Sequence, residues 1–319
     1  MNSKPTILVS ENNSVFRQYF LEHYWEPYFN VEIIDVNKSY DIGSTVVASW
    51  STDFYRNTHH DAKVLVDRGM RHIIDHCWDS WHSAADGCAD FVLRPRDFMW
   101  LNESLWYKEL GYDKLTLSSK PTKDFLLLMN AERSYRTKLY KELTPVLADN
   151  IYSYIGLGVT LQNAVDVPVN DTTWQRYLDP TWYIDTRFSV VSETSVCSHE
   201  HVGPNDDINV TEKTLKTCAF KHPCVIWGQA GTLAWQKRQG FETFDHCIDE
   251  SYDTIIDDDL RLEEVVKQIL HCVEDKTIFA DSVTKQKLEH NYNHFYNQTL
   301  VEKILYEQII NPLMEFINA

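Results

Sequence analysis

Three adjacent residues, Thr211, Glu212 and Lys213, could bind an anion at the start of a predicted helix. Thr211 is a favoured N-cap residue, and the first amides of a helix have no partner within that helix. A phosphate bound there would accept hydrogen bonds from those amides at the positive end of the helix dipole. Lys213 adds a charge, and Glu212 can accept hydrogen bonds from sugar hydroxyls. The pattern predicts an anion site, although a capped helix with a surface ion pair explains it equally well.

Two arginines follow another predicted strand. The apolar run Phe125–Met129 is followed by Asn130, and Arg133 and Arg136 stand at the start of the next helix. The planar guanidinium group presents a fork of N–H donors that suits phosphate oxygens. A positive charge is unfavourable at a helix N-terminus, so the placement favours a ligand role over a solvated helix start.

Strands and helices alternate along the chain, which is typical of mostly parallel sheets. A linker is predicted at residues 117–124, and the last forty residues have apolar side chains near helical spacing. The sequence therefore predicts an α/β fold of two Rossmann-like domains facing across a cleft, with a C-terminal helical segment. Strands are predicted at residues 6–10, 31–36, 45–49, 72–75, 90–93, 125–129, 151–155, 188–191 and 224–227, and helices at 14–24 and 62–68.

The composition excludes several classes of protein. Of the 319 residues, 43% are hydrophobic and 13% aromatic, which excludes a disordered chain. The net charge of −17 argues against a wide nucleic-acid or anionic-membrane surface, because proteins that bind along phosphates need positive fields. We expect no membrane span and no signal peptide, because no apolar run is long enough and the N-terminus leads directly into a strand. Seven cysteines without paired spacing indicate reduced thiols and a cytoplasmic location.

Three segments of the second half resemble the nucleotide-sugar half of α1,3-fucosyltransferase-like glycosyltransferases, including bacterial and phage-encoded relatives. These segments are FSVVSET at residues 188–194, TEKTLKTCAFKHPCVIWG at 211–228 and GFETFDHCIDESYD at 240–253. The resemblance is clear over roughly residues 121–260 and faint before that. In such enzymes a strand end with a Glu and a T-E-K helix start hold the donor, and an N-x-x-R-x-x-R-like pattern accompanies them. The donor-binding residues implied here are Asn130, Arg133, Arg136, Glu193, Thr194, Thr211, Glu212 and Lys213.

The resemblance also implies a fold and a reaction. The fold is GT-B, with an acceptor domain at residues 1–120, a nucleotide-sugar-binding domain at 121–285 and helices at 286–319 that pack back across the domains. The reaction is an inverting, metal-independent transfer of a sugar from a nucleotide-diphosphate donor to a hydroxyl acceptor, a glycan in the first instance. A GDP-sugar is favoured as the donor by analogy. No cofactor and no metal ion are implied.

Inverting transfer also needs a carboxylate to take the proton of the acceptor hydroxyl. Asp75 and Glu103 are the two general-base candidates that we favour, and Asp53 and Asp79 are further ones. Asp75 stands at the carboxyl end of a predicted strand, where open α/β sheets bind ligands. A tryptophan cluster in the first domain could stack an acceptor sugar or form part of a core. It consists of Trp78, Trp81, Trp100 and Trp106.

Several other patterns have competing explanations. The His72 and His76 pair could ligate a metal only on a helix, and the surrounding β-branched residues favour a strand. The acidic run 257–259 resembles a metal-binding D-x-D but is better explained as a helix cap. The acidic loop 249–253 could lie near the donor base or sugar, or could be a solvated loop.

Two other functions stay open from the sequence. One is a non-catalytic protein of the same fold that binds a nucleotide sugar or a glycan. The other is sugar transfer to a modified DNA base, which the negative charge disfavours.

Overall fold

The structure is a computed structural model that describes residues 4–9, 26–50, 60–75, 89–93, 98–115, 120–163, 179–196, 208 and 210–319. The described residues form an α/β fold with two sheets, and the chain divides into two compact units. The first unit is Met1–Trp106 with Gln298–Ala319, and the second is Tyr107–Asn297. The boundaries thus fall after residues 106 and 297 instead of the predicted 120 and 285. One reason is that Tyr107 and Tyr112 pack against Phe220, inside the second unit.

The first unit contains a five-stranded parallel sheet in the order β2-β1-β3-β4-β5. The strands are β1 (Thr6–Val9), β2 (Asn30–Ile33), β3 (Thr45–Trp50), β4 (Arg71–Asp75) and β5 (Phe91–Leu93). The inner strands β1 and β3 carry apolar residues that pack into clusters on both faces of the sheet, as expected for parallel strands.

The second unit contains the order β10-β9-β6-β7-β8, in which only β8 is antiparallel to its neighbour. The strands are β6 (Lys123–Met129), β7 (Ile151–Tyr154), β8 (Val159–Gln162), β9 (Thr186–Ser192) and β10 (Cys224–Trp227). The chain enters at β6, continues to β7 on one side, and later returns to β9 and β10 on the other side. The direction of the connections therefore reverses between the adjacent strands β6 and β9.

Helices connect the strands of both units. They are α1 (His60–Asp67), α2 (Phe98–Glu109), α3 (Ser134–Leu147), α4 (Pro180–Asp185), α5 (Glu212–Ala219), α6 (Thr232–Arg238), α7 (Asp258–Glu274), α8 (Ser282–Phe295), α9 (Gln298–Leu305) and α10 (Asn311–Asn318). Helical turns also lie at Tyr112–Lys114, Ile155–Leu157, Glu250–Thr254 and Tyr306–Ile310. The predicted helix at residues 14–24 lies outside the described residues. Among the described helices, none has the length and apolarity that a membrane crossing requires.

The two cores follow from the alternation of apolar residues along the strands. In the first unit, α9 and α10 pack on the strands through Val301, Leu305 and Leu313. Arg71 holds α10 by donating to the carbonyl oxygens of Phe316 at 2.8 Å and Ile317 at 2.7 Å. In the second unit, one face of β6 and β9 forms a core with α3 and α7. Its strand residues include Phe125, Leu127, Met129, Phe188 and Val190.

The acidic run before α7 is a helix cap, as predicted. Asp257 has an extended backbone, and its carboxylate accepts hydrogen bonds from the amides of Asp259 and Leu260, both at 3.0 Å. These are the amides that lack a partner within the helix. The carboxylate of Asp257 therefore stabilises the start of α7.

A glycine lets two loops meet at the carboxyl edge of the second sheet. The amide of Gly156, after β7, donates to the carbonyl oxygen of Asn130, after β6, at 2.6 Å. A Cβ at position 156 would overlap the backbone nitrogen of Glu132 and lie 2.9 Å from the oxygen of Asn130. Only a residue without a side chain fits this approach.

We expect Gly156→Ala to lower the free energy of unfolding by about 3 kcal/mol, because both backbones must shift to admit the methyl group. Gly158→Ala is the matched control: Gly158 has a φ of 75° but open space around it, so its cost should stay near 1 kcal/mol. Urea denaturation measures both. Equal losses in the two variants would contradict the packing argument.

Candidate functional site

A buried carboxylate joins the end of β9 to the start of α5. Glu193 directly follows β9 and is fully buried. Its Oε1 accepts hydrogen bonds from the amide of Thr211 at 3.2 Å and from the Thr214 hydroxyl at 2.6 Å. Its Oε2 accepts from the Thr211 hydroxyl at 2.5 Å and from the amide of Thr194 at 3.2 Å. Four donors thus compensate the removal of this charge from water.

The start of α5 differs from the sequence expectation in one respect. Thr211 is the N-cap, as predicted, and its hydroxyl accepts from the amide of Lys213 at 3.4 Å. The residue is fully buried, however, and its own N–H and O–H donate to Glu193 instead of pointing outward. The anion beside Thr211 is therefore a carboxylate of the protein itself. This pairing gives Glu193 and Thr211 a positioning role.

Lys213 has three hydrogen-bond partners. Its Nζ donates to Oε1 of Glu212 at 2.9 Å and to the hydroxyls of Thr194 and Thr211, both at 3.1 Å. Burial acts to raise the pKa of the Glu212 carboxyl, but the charges of Lys213 and Lys216 and the hydrogen bond from Lys213 outweigh it. Together they hold that pKa at about 2, against an ordinary value of 4.5. Glu212 is thus ionised at neutral pH, and the ammonium group of Lys213 is held in one place.

Arg136 is a buried cation with incomplete hydrogen bonding. Only 2% of the residue is exposed. Its Nη1 donates to the oxygen of Ala131 at 3.1 Å, and its Nη2 donates to the oxygen of Glu193 at 3.3 Å. Among the residues that the structure describes, its Nε has no hydrogen-bond partner. Its guanidinium carbon lies 5.8 Å from the centroid of the Tyr135 ring, and no carboxylate of the described residues forms an ion pair with it.

These contacts define a strand-end cluster, by which we mean Arg136, Glu193, Thr194, Thr211, Glu212 and Lys213. All six belong to the predicted donor-binding set, and hydrogen bonds connect all of them. Tyr135, which the sequence analysis missed, adds a hydrogen bond from its hydroxyl to the oxygen of Thr194. The cluster therefore joins segments more than fifty residues apart in sequence.

The remaining two predicted donor residues lie beside the cluster without joining it. Arg133 is the exposed N-cap of α3, and the Tyr154 hydroxyl pairs with its backbone nitrogen and oxygen, each at 3.2 Å. Asn130 is half-buried and accepts from Gly156 through its backbone oxygen. Within the described residues, no hydrogen bond links the Asn130 or Arg133 side chain to the cluster.

A pocket lies against the start of α5. It spans about 430 Å³, a volume that includes open solvent. Leu126 and Leu128 contribute apolar surface, and Lys216 is a buried cation in its lining. Lys216 is not among the residues predicted from the sequence, although its spacing of four residues from Glu212 on a short helix is a signal for a charged face. The full lining is Leu126, Leu128, Tyr183, Ser189, Val190, Val191, Ser192, Glu212, Lys213 and Lys216.

Arg261 organises the loops at the same edge of the sheet. This buried residue of α7 donates through Nε to the oxygen of Gly228 at 3.1 Å, and through Nη2 to the oxygen of Val196. Its Nη1 donates to the oxygen of Ile255 at 2.5 Å. No local pattern could have revealed this role, because Gly228 and Val196 are remote in sequence.

His222 links the middle of β9 to the turn before β10. Its Nδ1 lies 2.8 Å from the Ser189 hydroxyl and its Nε2 lies 2.9 Å from the oxygen of Thr186. The carbonyl oxygen can only accept, so Nε2 carries the proton and Nδ1 accepts from Ser189. Burial lowers the pKa of His222 to about 4, against the opposing effect of the Thr186 hydrogen bond. The histidine is a neutral bridge in the core at physiological pH.

The acidic loop 249–253 uses its carboxylates within the protein. Asp253 accepts from the amides of Leu233 at 2.9 Å and Ala234 at 3.0 Å, at the start of α6. Glu250 accepts from the amide of Phe244 at 2.7 Å, and Asp249 accepts from the amide of Ser251 at 2.9 Å. Because these carboxylates accept hydrogen bonds from backbone amides of the protein, the acidic residues of the loop have a structural role.

The candidate bases belong to the first unit. Asp75 closes β4, as predicted, and pairs in register with Leu93 of β5. Glu103 lies instead inside α2, where it is buried and its Oε1 accepts from Asn102 Nδ2 at 3.0 Å. Trp100 is buried in its core, which favours the structural explanation for that residue. Outside the described residues lie the other candidates Asp53, Asp79, His76, Trp78 and Trp81.

The described residues contain no group of three or more His, Cys, Asp or Glu side chains arranged to hold a metal ion. Comparisons of the chain with known protein families, with curated proteins and with solved structures found no match.

We expect Glu193→Ala to lower the free energy of unfolding by about 3 kcal/mol, because two buried hydroxyls and two amides lose a charged acceptor. Glu289→Ala is the control, since that exposed carboxylate forms a surface ion pair with Lys221 and accepts a surface hydrogen bond from Asn293 at 3.3 Å, and it should contribute less than about 1 kcal/mol. Urea denaturation followed by tryptophan fluorescence measures both. Losses of similar size would show that the Glu193 bonds stabilise little.

The depressed pKa of Glu212 predicts a pH dependence. A carboxyl whose pKa is lower in the folded state stabilises the fold above its unfolded value of 4.5, and this contribution disappears as the pH falls towards about 2. The difference in unfolding free energy between wild type and Glu212→Gln should be constant above pH 5 and shrink steadily below 4.5. Urea titrations at a series of pH values test this, and a difference that does not change with pH would contradict it.

Proposed function

We propose that the second unit binds a nucleotide-diphosphate sugar and that the protein is a metal-independent glycosyltransferase. In this proposal the donor is a GDP-sugar in the first instance, the acceptor is a hydroxyl group of a glycan, and the fold class is GT-B. The α1,3-fucosyltransferase-like enzymes are the proposed relatives.

One observation supports the proposal above the others, namely where the connections of the second sheet reverse. Arg136 lies in the first turn of α3, directly after the loop that follows β6, and the loop after the adjacent β9 carries Glu193 and Thr194. The connections that follow these two adjacent strands run to opposite sides of the sheet. Open α/β sheets bind nucleotides at such a reversal. The cations of the strand-end cluster therefore lie where a bound phosphate is expected.

The charge of Arg136 is a second argument. Removing a guanidinium from water costs several kcal/mol unless an anion or enough acceptors compensate it. Two carbonyl oxygens are its described acceptors, and Nε has none. A bound diphosphate would provide a hydrogen-bond acceptor for Nε of Arg136 and a negative charge beside its guanidinium group. Lys213 of α5, whose Nζ donates a hydrogen bond to the Thr194 hydroxyl, would contact the same ligand.

The proposed mechanism uses these cations on the leaving group. When the bond to the anomeric carbon breaks, negative charge develops on the diphosphate and positive charge on the sugar. Arg136 and Lys213 would stabilise the diphosphate, and Arg133 would contact it from the rim. Glu193 would keep Thr211 and Thr194 in position, and Lys213 depends on the hydroxyls of both. Asp75 remains the preferred base for the acceptor hydroxyl, because Glu103 is buried within a helix.

Binding of GDP, UDP and inorganic pyrophosphate, measured by calorimetry, tests the proposal. We expect at least one nucleotide to bind, and Lys213→Ala and Arg136→Lys to weaken that binding by about tenfold or more, the scale of a lost charge-assisted hydrogen bond. Lys141→Ala, an exposed lysine further along α3, should leave the affinity unchanged.

Turnover of GDP- and UDP-sugars by the same proteins separates a transferase from a binding protein. Release of free nucleotide diphosphate by wild type and its loss in Lys213→Ala would support the transferase. Binding without turnover would favour the non-catalytic alternative. If wild type binds none of GDP, UDP and pyrophosphate, the proposal is overturned.

A further inference from the structure

Two aliphatic side chains are exposed on the turn that follows β7. Ile155 and Leu157 are 38% and 39% exposed on the helical turn Ile155–Leu157. Gly156 separates them and Gly158 follows with a φ of 75°. Exposed single aliphatic residues are common, so the position of this pair is what requires an explanation.

The turn is fixed to the loop after β6 at two points. The Gly156 amide donates to the oxygen of Asn130 at 2.6 Å. The Tyr154 hydroxyl, one residue before the turn, pairs with the backbone nitrogen and oxygen of Arg133 at 3.2 Å. The absence of a side chain at Gly156 lets the backbones meet. Ile155 and Leu157 are therefore held beside the segment 130–133.

The same loop contacts the buried guanidinium group. The oxygen of Ala131 accepts from Nη1 of Arg136 at 3.1 Å. Asn130 thus contacts the apolar turn, and the next residue contacts the cation. A nucleotide diphosphate has a matching arrangement: a flat base that can pack on the apolar turn is joined through a ribose to phosphates that can contact the cation. Ligand sites commonly combine apolar surface with a few placed polar groups in this way.

We infer that Ile155 and Leu157 form the contact surface for the nucleobase of the donor. This inference rests on the proposed nucleotide-binding function and adds the place where the base binds. The base packs its face on the two aliphatic side chains, and its phosphates extend past Ala131 towards Arg136. Such a contact involves no base-specific hydrogen bonds, so purine and pyrimidine bases can both bind to it.

The test compares the affinities of wild type and an Ile155→Ser, Leu157→Ser double variant for GDP, UDP and pyrophosphate, measured by calorimetry. Pyrophosphate carries the charges without a base. We expect the double variant to bind the nucleotides about tenfold more weakly, equivalent to about 1.4 kcal/mol, and to leave any pyrophosphate affinity unchanged. Thermal unfolding confirms that the variant is folded, and Leu157→Ser alone gives the same comparison.

The control is a Leu110→Ser, Leu115→Ser double variant. These residues are also 38% and 39% exposed and belong to the second unit. Tyr112, between them, packs against Phe220 at the C-terminal end of α5. The strand-end cluster lies at the opposite, N-terminal end of that helix. The control should therefore match wild type for all three ligands.

The outcomes separate the two proposals. Absence of binding by GDP, UDP and pyrophosphate in wild type would overturn the proposed function and the inference with it. Nucleotide binding that is equal in wild type and the Ile155→Ser, Leu157→Ser variant would overturn the inference alone. Equal weakening of nucleotides and pyrophosphate, or a wild type that binds pyrophosphate as tightly as both nucleotides, would also overturn it.

Discussion

The buried carboxylate of Glu193 is the interaction on which the rest of the second unit's edge depends. It takes four hydrogen bonds from Thr194, Thr211 and Thr214, and so fixes the end of β9 against the start of α5. A buried charge tolerates little change in geometry, because each lost donor leaves part of the desolvation cost uncompensated. The positions of Thr194 and Thr211 follow from it, and Lys213 depends on the hydroxyls of both.

Buried arginines connect the other loops to this edge. Arg136 joins the loop after β6 to the end of β9, and Arg261 joins the loops after β9 and β10 to α7. Each guanidinium reaches several carbonyl oxygens, so one side chain holds two or three backbone segments. Arg261 also has a carboxylate partner, Asp258, at 2.6 Å, whereas Arg136 has none among the described residues. That difference is what gives Arg136 its place in the proposed donor site.

Much of the secondary structure could be predicted from local patterns. The strand Cys224–Trp227 was predicted without error, and Thr211 and Asp257 cap their helices through the side-chain hydrogen bonds expected of such residues. The unit boundary was less predictable, because it follows from aromatic packing of Tyr107 and Tyr112 on Phe220, over a hundred residues away. Only its residue type suggests Glu103 as a base, and its burial in α2 does not follow from its neighbours in sequence.

The sequence by itself determined the alternation of strands and helices, the helix caps and the chemical types available for a site, since each depends on residues a few positions apart. Only the tertiary structure decided which of those side chains meet. It paired the Glu193 carboxylate with Thr211 and left the Arg136 charge uncompensated by the described carboxylates. The physical reason is that burial and hydrogen bonding are settled between segments distant in sequence, and a charge acquires its role only when its neighbours in space are known.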